Sequence, residues 1–205
     1  MPDFSLEQCA TDDGFDPVCG IDEAGRGPWA GPVVAGVAIL PMDGLPDELR
    51  GGLDDSKKLK ASRRQELFTV LQGHAQVAVG VASVQEIDTL NILQATLLAM
   101  ARAVENLKTR PGLALVDGDR APRLVCPVRT VIRGDGLSLS IAAASIVAKV
   151  SRDRMMADLA RKHPAYGWDH NAGYGTPEHQ RALADLGVTD HHRRSFAPIR
   201  KIIEA

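Results

Sequence analysis

The chain has 205 residues, 44% of them hydrophobic, which is long and apolar enough to bury the core of one domain and too apolar for intrinsic disorder. Three cysteines without a CxxC pair argue against a disulfide framework or a zinc site. No apolar run approaches the ~20 residues of a membrane span, and residues 1–16 lack the order of a signal peptide, so a reducing cytoplasm is expected.

The formal net charge of −2 hides an asymmetry: residues 1–119 hold 18 acidic and 10 basic side chains, residues 120–205 hold 8 and 14. The basic half suits a phosphate backbone and the acidic half suits metal, though ordinary surface charge gives the same count.

In chain order, residues 1–16 are polar and acidic and read as a flexible tail. Val18 to Asp22 and Val33 to Leu40 read as two strands, joined by a turn rich in Gly and Pro. Residues 41–60 read as a loop. Ser62 is placed to cap a helix to about Leu71, with Gln65 completing a capping box. Gln76 to Ser83 reads as a third strand, and Asn91 to Leu107 has the apolar period of a helix.

Leu113 to Val116 is wholly apolar, as in a buried parallel strand, and Val125 to Ile132 reads as another strand. Ser140 to about Lys162 is a long helix whose Ala142, Ala143, Ala144 and Ser145 allow close approach to a sheet. Thr176 caps a helix from Pro177 to Leu186. The pattern predicts an α/β mixed sheet flanked by helices. Residues 17–162 form the main domain and 163–205 a small helical extension.

Four carboxylates stand at predicted strand ends: Asp22 and Glu23 close the first strand, Asp117 closes the buried strand, and Asp135 follows another strand and precedes the long helix. Acids gathered at buried strand ends repel one another unless a cation joins them, and an all-oxygen set favours Mg²⁺ or Mn²⁺ over zinc. Each Asp taken alone serves equally well as a turn residue, since Asp117-Gly118 and Asp135-Gly136 are common turn pairs. Asp22 and Glu23 are adjacent on a strand and so face opposite ways unless the strand ends or bulges there.

With these blocks in place, the sequence resembles ribonuclease HII. The likeness lies in Gly20-Ile21-Asp22-Glu23-Ala24-Gly25-Arg26-Gly27, Asp55-Ser56-Lys57-Lys58-Leu59, Val116-Asp117-Gly118-Asp119, and Gly134-Asp135 followed by Ser138 to Val150 with Arg152-Asp153. Gly173-Tyr174-Gly175-Thr176, His179 and the tail His192-Arg193-Arg194-Ser195-Phe196 extend it.

The resemblance implies a ribonuclease H-like fold with a C-terminal helical extension. It implies a catalytic and metal-binding set of Asp22, Glu23, Asp117 and Asp135 around Mn²⁺ or Mg²⁺. It further implies that Gly25, Arg26 and Gly27 form the turn that senses the ribose 2′-hydroxyl, that Tyr174 stacks beside the following sugar, and that Lys57 lies near the bound backbone. Where the family usually has Asp-Gly-Asn, this chain has Asp119 in place of the asparagine.

The implied activity is hydrolysis of the RNA strand of RNA–DNA hybrids, and of single ribonucleotides in duplex DNA, giving 5′-phosphate and 3′-hydroxyl products. A monomer that needs no protein partner is expected. A DNA nuclease or resolvase of the same fold and a non-catalytic hybrid-binding module are the alternatives, separated by cleavage of all-DNA duplex and by metal dependence. Lys149 and Arg152 share a helix face and are read as binding either the nucleic-acid backbone or neighbouring acids.

Overall fold

Five strands form one mixed sheet in the order β3-β2-β1-β4-β5 in the computed structural model, which describes residues 1–204. They are β1 (Val18–Ala24), β2 (Val33–Ile39), β3 (Gln76–Ala82), β4 (Leu113–Asp117) and β5 (Val128–Val131). β1, β2 and β3 are an antiparallel meander, and β4 and β5 run parallel to β1. The helices are α1 (Ser5–Asp12), α2 (Asp47–Gly52), α3 (Ala61–His74), α4 (Val84–Leu90), α5 (Ile92–Glu105), α6 (Leu139–Lys162), α7 (Trp168–Asn171), α8 (Pro177–Leu186) and α9 (Ala197–Ile203).

Side chains alternate across the sheet and feed two cores. Cys19, Ile21, Val33, Ala35 and Val37 point to one face, where Ala95, Ala99 and Ala103 of α5 cover them. Ala38 points to the other, against Ala142, Ala143, Ala144 and Val147 of α6, with α3 alongside. Glycines set how closely the helices approach. A Cβ on Gly20 would lie 2.1 Å from the Ser140 carbonyl carbon, one on Gly36 2.3 Å from the Ala144 oxygen, and one on Gly80 2.0 Å from the Ala99 oxygen. Both helices therefore rest backbone-on-backbone against the sheet. A third cluster joins Met156 and Ala160 of α6 to Ala30, Tyr166, Trp168, Ala182, Leu183 and Ile199, so the C-terminal segments pack on the far end of α6 and on the β1–β2 connection.

Several local expectations are corrected. Residues 1–16 hold α1, whose Ala10 packs with Val18, Leu113 and Ile141, and whose Glu7 is buried. Ser62 caps nothing: α3 begins one residue earlier, after Lys60, with no side-chain cap. The expected loop at 41–60 includes α2. Before α5 stands α4, capped by Ser83 in a capping box with Glu86. Asn91, at φ 72°, breaks the chain between them and caps α5 through its side chain. α8 starts at Pro177 with Thr176 as its cap, as expected. Among the described residues no helix is long and apolar enough to cross a membrane.

The glycine contacts make a direct prediction. Gly36→Ala should lower the unfolding free energy by about 1–3 kcal/mol in urea, because backbone must move to admit the methyl. Gly73→Ala, in α3 with open space around it, should be neutral or stabilising by up to about 1 kcal/mol. Equal effects at both sites would contradict the close-packing account.

Candidate active site

The β1–β4 register sets the site. Ile21 pairs with Val116, so Asp22 and Asp117 stand side by side one step further on, on neighbouring strands about 4.8 Å apart. Asp22 shares the α6 face with Gly20 and is only 6% exposed. Asp117 ends its pairing with Val131, after which the chain turns through Arg133, held at φ 56°, into a short 3₁₀ turn at Gly134–Gly136. The Gly134 N–H donates to Asp117 Oδ1 at 2.6 Å, which brings Asp135 to the same corner.

The next segment is also tied down. Ser138 Oγ accepts from the Ile141 N–H and donates to Glu7 Oε1 at 2.6 Å, and the Ser140 N–H donates to the same oxygen. Backbone bonds between Asp3 and both Leu137 and Leu139 add to this. The α1 segment thus clamps the junction between the Asp135 turn and α6.

Electrostatics reports the crowding. Burial pushes the Asp22 carboxyl well above the usual carboxylate range, and the charges of Glu23, Asp117 and Asp135 push it further. Burial, then Asp117, raises Asp135. Glu23 is raised by burial despite the opposing charge of Arg26. Burial would lower the Lys57 ammonium, but Asp22, Asp55, Asp135 and Asp117 outweigh it and hold the group above its ordinary value. Lys57 therefore lies in the field of the acids.

Glu23 stands apart in orientation. Ile21 faces α5, and by alternation so does Glu23. It lines a cavity of about 100 Å³ with Thr96, Met100, Asp117 and Asp119, and it accepts from Arg26 Nη1 at 3.3 Å.

As the side chains stand, no group of three or more His, Cys, Asp and Glu among the described residues is arranged to hold a metal ion. Three of the four acids accept from a nearby donor: Asp22 Oδ1 from the Glu23 N–H at 2.7 Å, Asp117 from the Gly134 N–H, and Glu23 from Arg26. The backbone nevertheless sets Asp22, Asp117 and Asp135 around one corner, and the donors are hard oxygens. That chemistry fits a divalent ion of the Mg²⁺ or Mn²⁺ kind once side chains rotate inward. Asp119, on the cavity that Glu23 and Asp117 also line, points largely to solvent: its side chain is 74% exposed and 4.0 Å from Arg120.

The Gly25–Gly27 turn follows β1 directly. Gly25 has φ +97°, and a Cβ there would strike the Arg152 guanidinium at 1.9 Å. Two buried arginines hold the turn. Arg193 donates to the carbonyls of Gly25, Arg26, Gly31 and Pro32. Arg152 donates to those of Ala30, Pro32 and Ala172. Burial lowers Arg152 to about 10, and burial with the Arg152 charge lowers Arg193 to about 9.

In a trans peptide the N–H opposes the carbonyl before it. With the Gly25 and Arg26 carbonyls drawn inward, the N–H groups of Arg26 and Gly27 turn outward. Tyr174, 50% exposed, stands over this turn, with its ring 3.2 Å from where a Gly27 Cβ would be.

Arg152 and Lys149 share a face in sequence but not a role: Lys149 pairs with Asp153 at 2.5 Å while Arg152 is buried under the turn. The sequence signal was present, because Arg152 interrupts an otherwise apolar helical stripe between Ala148 and Met156. Arg193 carried no such pattern.

The family described as Ribonuclease HII matches residues 19–199. A ribonuclease HII of Paramagnetospirillum magneticum is 60% identical over 97% of this chain and 97% of its own. The ribonuclease H2 structure from Pyrococcus horikoshii is similar at 30% identity and a TM-score of 0.76, covering 91% of this chain and 97% of its own. The ribonuclease HII of Archaeoglobus fulgidus, solved in a complex with PCNA, is 26% identical with a TM-score of 0.69 over 86% of this chain and 93% of its own.

The crowding predicts a stability gain on neutralisation. Without metal, Asp22→Asn keeps the acceptor for the Glu23 N–H and removes a buried charge beside like charges. Thermal unfolding in a chelator should show a rise in Tm of a few degrees, on the order of 1 kcal/mol. A fall in Tm would contradict the repulsion described.

Proposed function

Because the chain belongs to the ribonuclease HII family, divalent-metal-dependent endonucleases that cut the RNA of RNA–DNA hybrids, we propose that Asp22, Glu23, Asp117 and Asp135 form its catalytic centre. The observation that carries this reading is the placing of Asp22 beside Asp117 by strand register, directly below the Gly25–Gly27 turn. Asp22 and Asp117 would hold the metal, with Asp135 and Glu23 completing the site from its two sides. When bound, Mg²⁺ or Mn²⁺ supplies positive charge that polarises the phosphate and eases deprotonation of the attacking water.

The rest is the work of this chain's own groups. The outward N–H groups of Arg26 and Gly27 meet the ribose 2′-hydroxyl, the group that distinguishes RNA from DNA at one position. Tyr174 stacks on the sugar that follows. Lys57, held charged by the acids, meets the backbone phosphate. The 2′-hydroxyl serves recognition and not attack, so water is the nucleophile and the products carry 5′-phosphate and 3′-hydroxyl ends. Residues 163–205 act as a substrate-binding extension that brings Tyr174 to the turn. The chain works as a cytoplasmic monomer without a protein partner.

The test is a DNA duplex carrying one ribonucleotide, beside an all-DNA duplex, with Mg²⁺, Mn²⁺ or chelator. Nicking on the 5′ side of the ribonucleotide, only with metal, is expected; equal cutting of all-DNA duplex would instead support a DNA nuclease. Asp22→Asn should lose at least ~10³-fold in metal-dependent cleavage. Tyr174→Ala should lose about tenfold in kcat/KM on the single-ribonucleotide duplex, as one stacking contact is worth, with a smaller loss on a long hybrid. Full activity in either variant would remove that residue from its role.

A further inference from the structure

Behind Tyr174 lies a buried chain of hydrogen bonds that the chemistry above does not use. His179 and His192 are both fully buried, with their Nε2 atoms 3.0 Å apart. The partners fix where the protons sit. The Thr189 N–H points at His192 Nδ1 at 3.0 Å, so that nitrogen accepts and the His192 proton is on Nε2. The Trp168 Nε1–H points at His179 Nε2 at 3.2 Å, so that nitrogen accepts from Trp168 and His192 alike. The His179 proton is then on Nδ1, 2.9 Å from the Tyr174 carbonyl.

Each ring is neutral and satisfied. An extra proton on either would set N–H against N–H, and burial accordingly draws His192 down to about 4 and His179 below its ordinary value.

The chain joins two parts of the same surface. His192 bridges Ala30 in antiparallel fashion and precedes Arg193, which holds the Gly25 and Arg26 carbonyls. His179 reaches the tyrosine. Tyr174 itself sits between glycines pressed on this connection: a Cβ on Gly173 would lie 2.5 Å from the Ala30 oxygen and one on Gly175 2.2 Å from the Trp29 ring.

We propose that His179 is a positioning residue for cleavage, fixing Tyr174 over the Gly25–Gly27 turn by donating from Nδ1 to its carbonyl, with His192 behind it donating from Nε2 to His179 Nε2. The inference rests on the reading of Tyr174 as the residue that meets the sugar. It concerns His179 acting through Tyr174 and not touching substrate.

Two substitutions separate the bond from the bulk. The amide nitrogen of Asn falls where Nδ1 was and can still donate to Tyr174, whereas in Gln the amide oxygen falls where Nε2 was, accepts from His192 and Trp168, and leaves the Tyr174 carbonyl without its donor. On the single-ribonucleotide duplex, His179→Gln should lose roughly tenfold in kcat/KM, the worth of one buried hydrogen bond, and approach Tyr174→Ala. His179→Asn should stay within about threefold of the unaltered protein. Equal loss in both, or no loss in His179→Gln while Tyr174→Ala is impaired, overturns the positioning role alone. No loss in Tyr174→Ala overturns the sugar-reading role, and the positioning role falls with it.

Should His179→Gln fail to fold, nitrogen-15 NMR of the unaltered protein decides. His179 protonated on Nδ1 and His192 on Nε2 at neutral pH support the proposal; the opposite tautomers, or charged rings, overturn it.

Discussion

Asp22 and Asp117 are set side by side by the pairing of β1 with β4, and Asp135 is drawn to them by the bond from Gly134 to Asp117. Left to themselves these carboxylates would separate, because at low exposure little water screens them. Local hydrogen bonds give partial relief: Asp22 accepts from the Glu23 N–H and Asp117 from the Gly134 N–H. The backbone cannot give way, and everything around the site serves to keep it from doing so.

Two supports do this. On one side α6 rests on Gly20 and Gly36 without intervening side chains, and Ser138 and Glu7 lock its first turn. Glu7 keeps one buried oxygen without a hydrogen-bond partner, so the clamp is held at a cost. On the other side two buried guanidiniums hold the carbonyls of the β1–β2 connection. Burying them is costly without carboxylate partners, and three to four carbonyl acceptors each offset that cost. Rigid acids and a rigid turn thus meet at the end of β1. On the proposed assignment, this puts the turn that reads the sugar next to the acids that hold the metal.

Much of this was legible in the sequence where short-range rules apply. The apolar run at 113–116, the alanines at the start of α6 and the Thr176-Pro177 cap each announce their element locally. So did Asp117, which closes β4; Asp22 and Glu23 were expected at a strand end but lie within β1, which runs on to Ala24 in its pairing with β2. What escaped depended on distant partners. Glu7 reads as one more acid in a polar tail until Ser138, 131 positions away, supplies its partner. The split between α4 and α5 turns on Asn91 adopting a left-handed conformation, which composition does not announce. Ser62 had the right pattern for a cap, but the helix began before it. His179 and His192, thirteen positions apart, are joined by tertiary packing alone.

On the proposed reading, Asp22, Asp117 and Asp135 converge on one divalent ion. Anomalous diffraction from crystals soaked in Mn²⁺ tests it most directly. A manganese peak within bonding distance of oxygens from both Asp22 and Asp117, with their side chains rotated inward, is the expected result. Manganese bound elsewhere, with Asp22 and Asp117 unmoved in a protein that still cleaves its substrate, would contradict it.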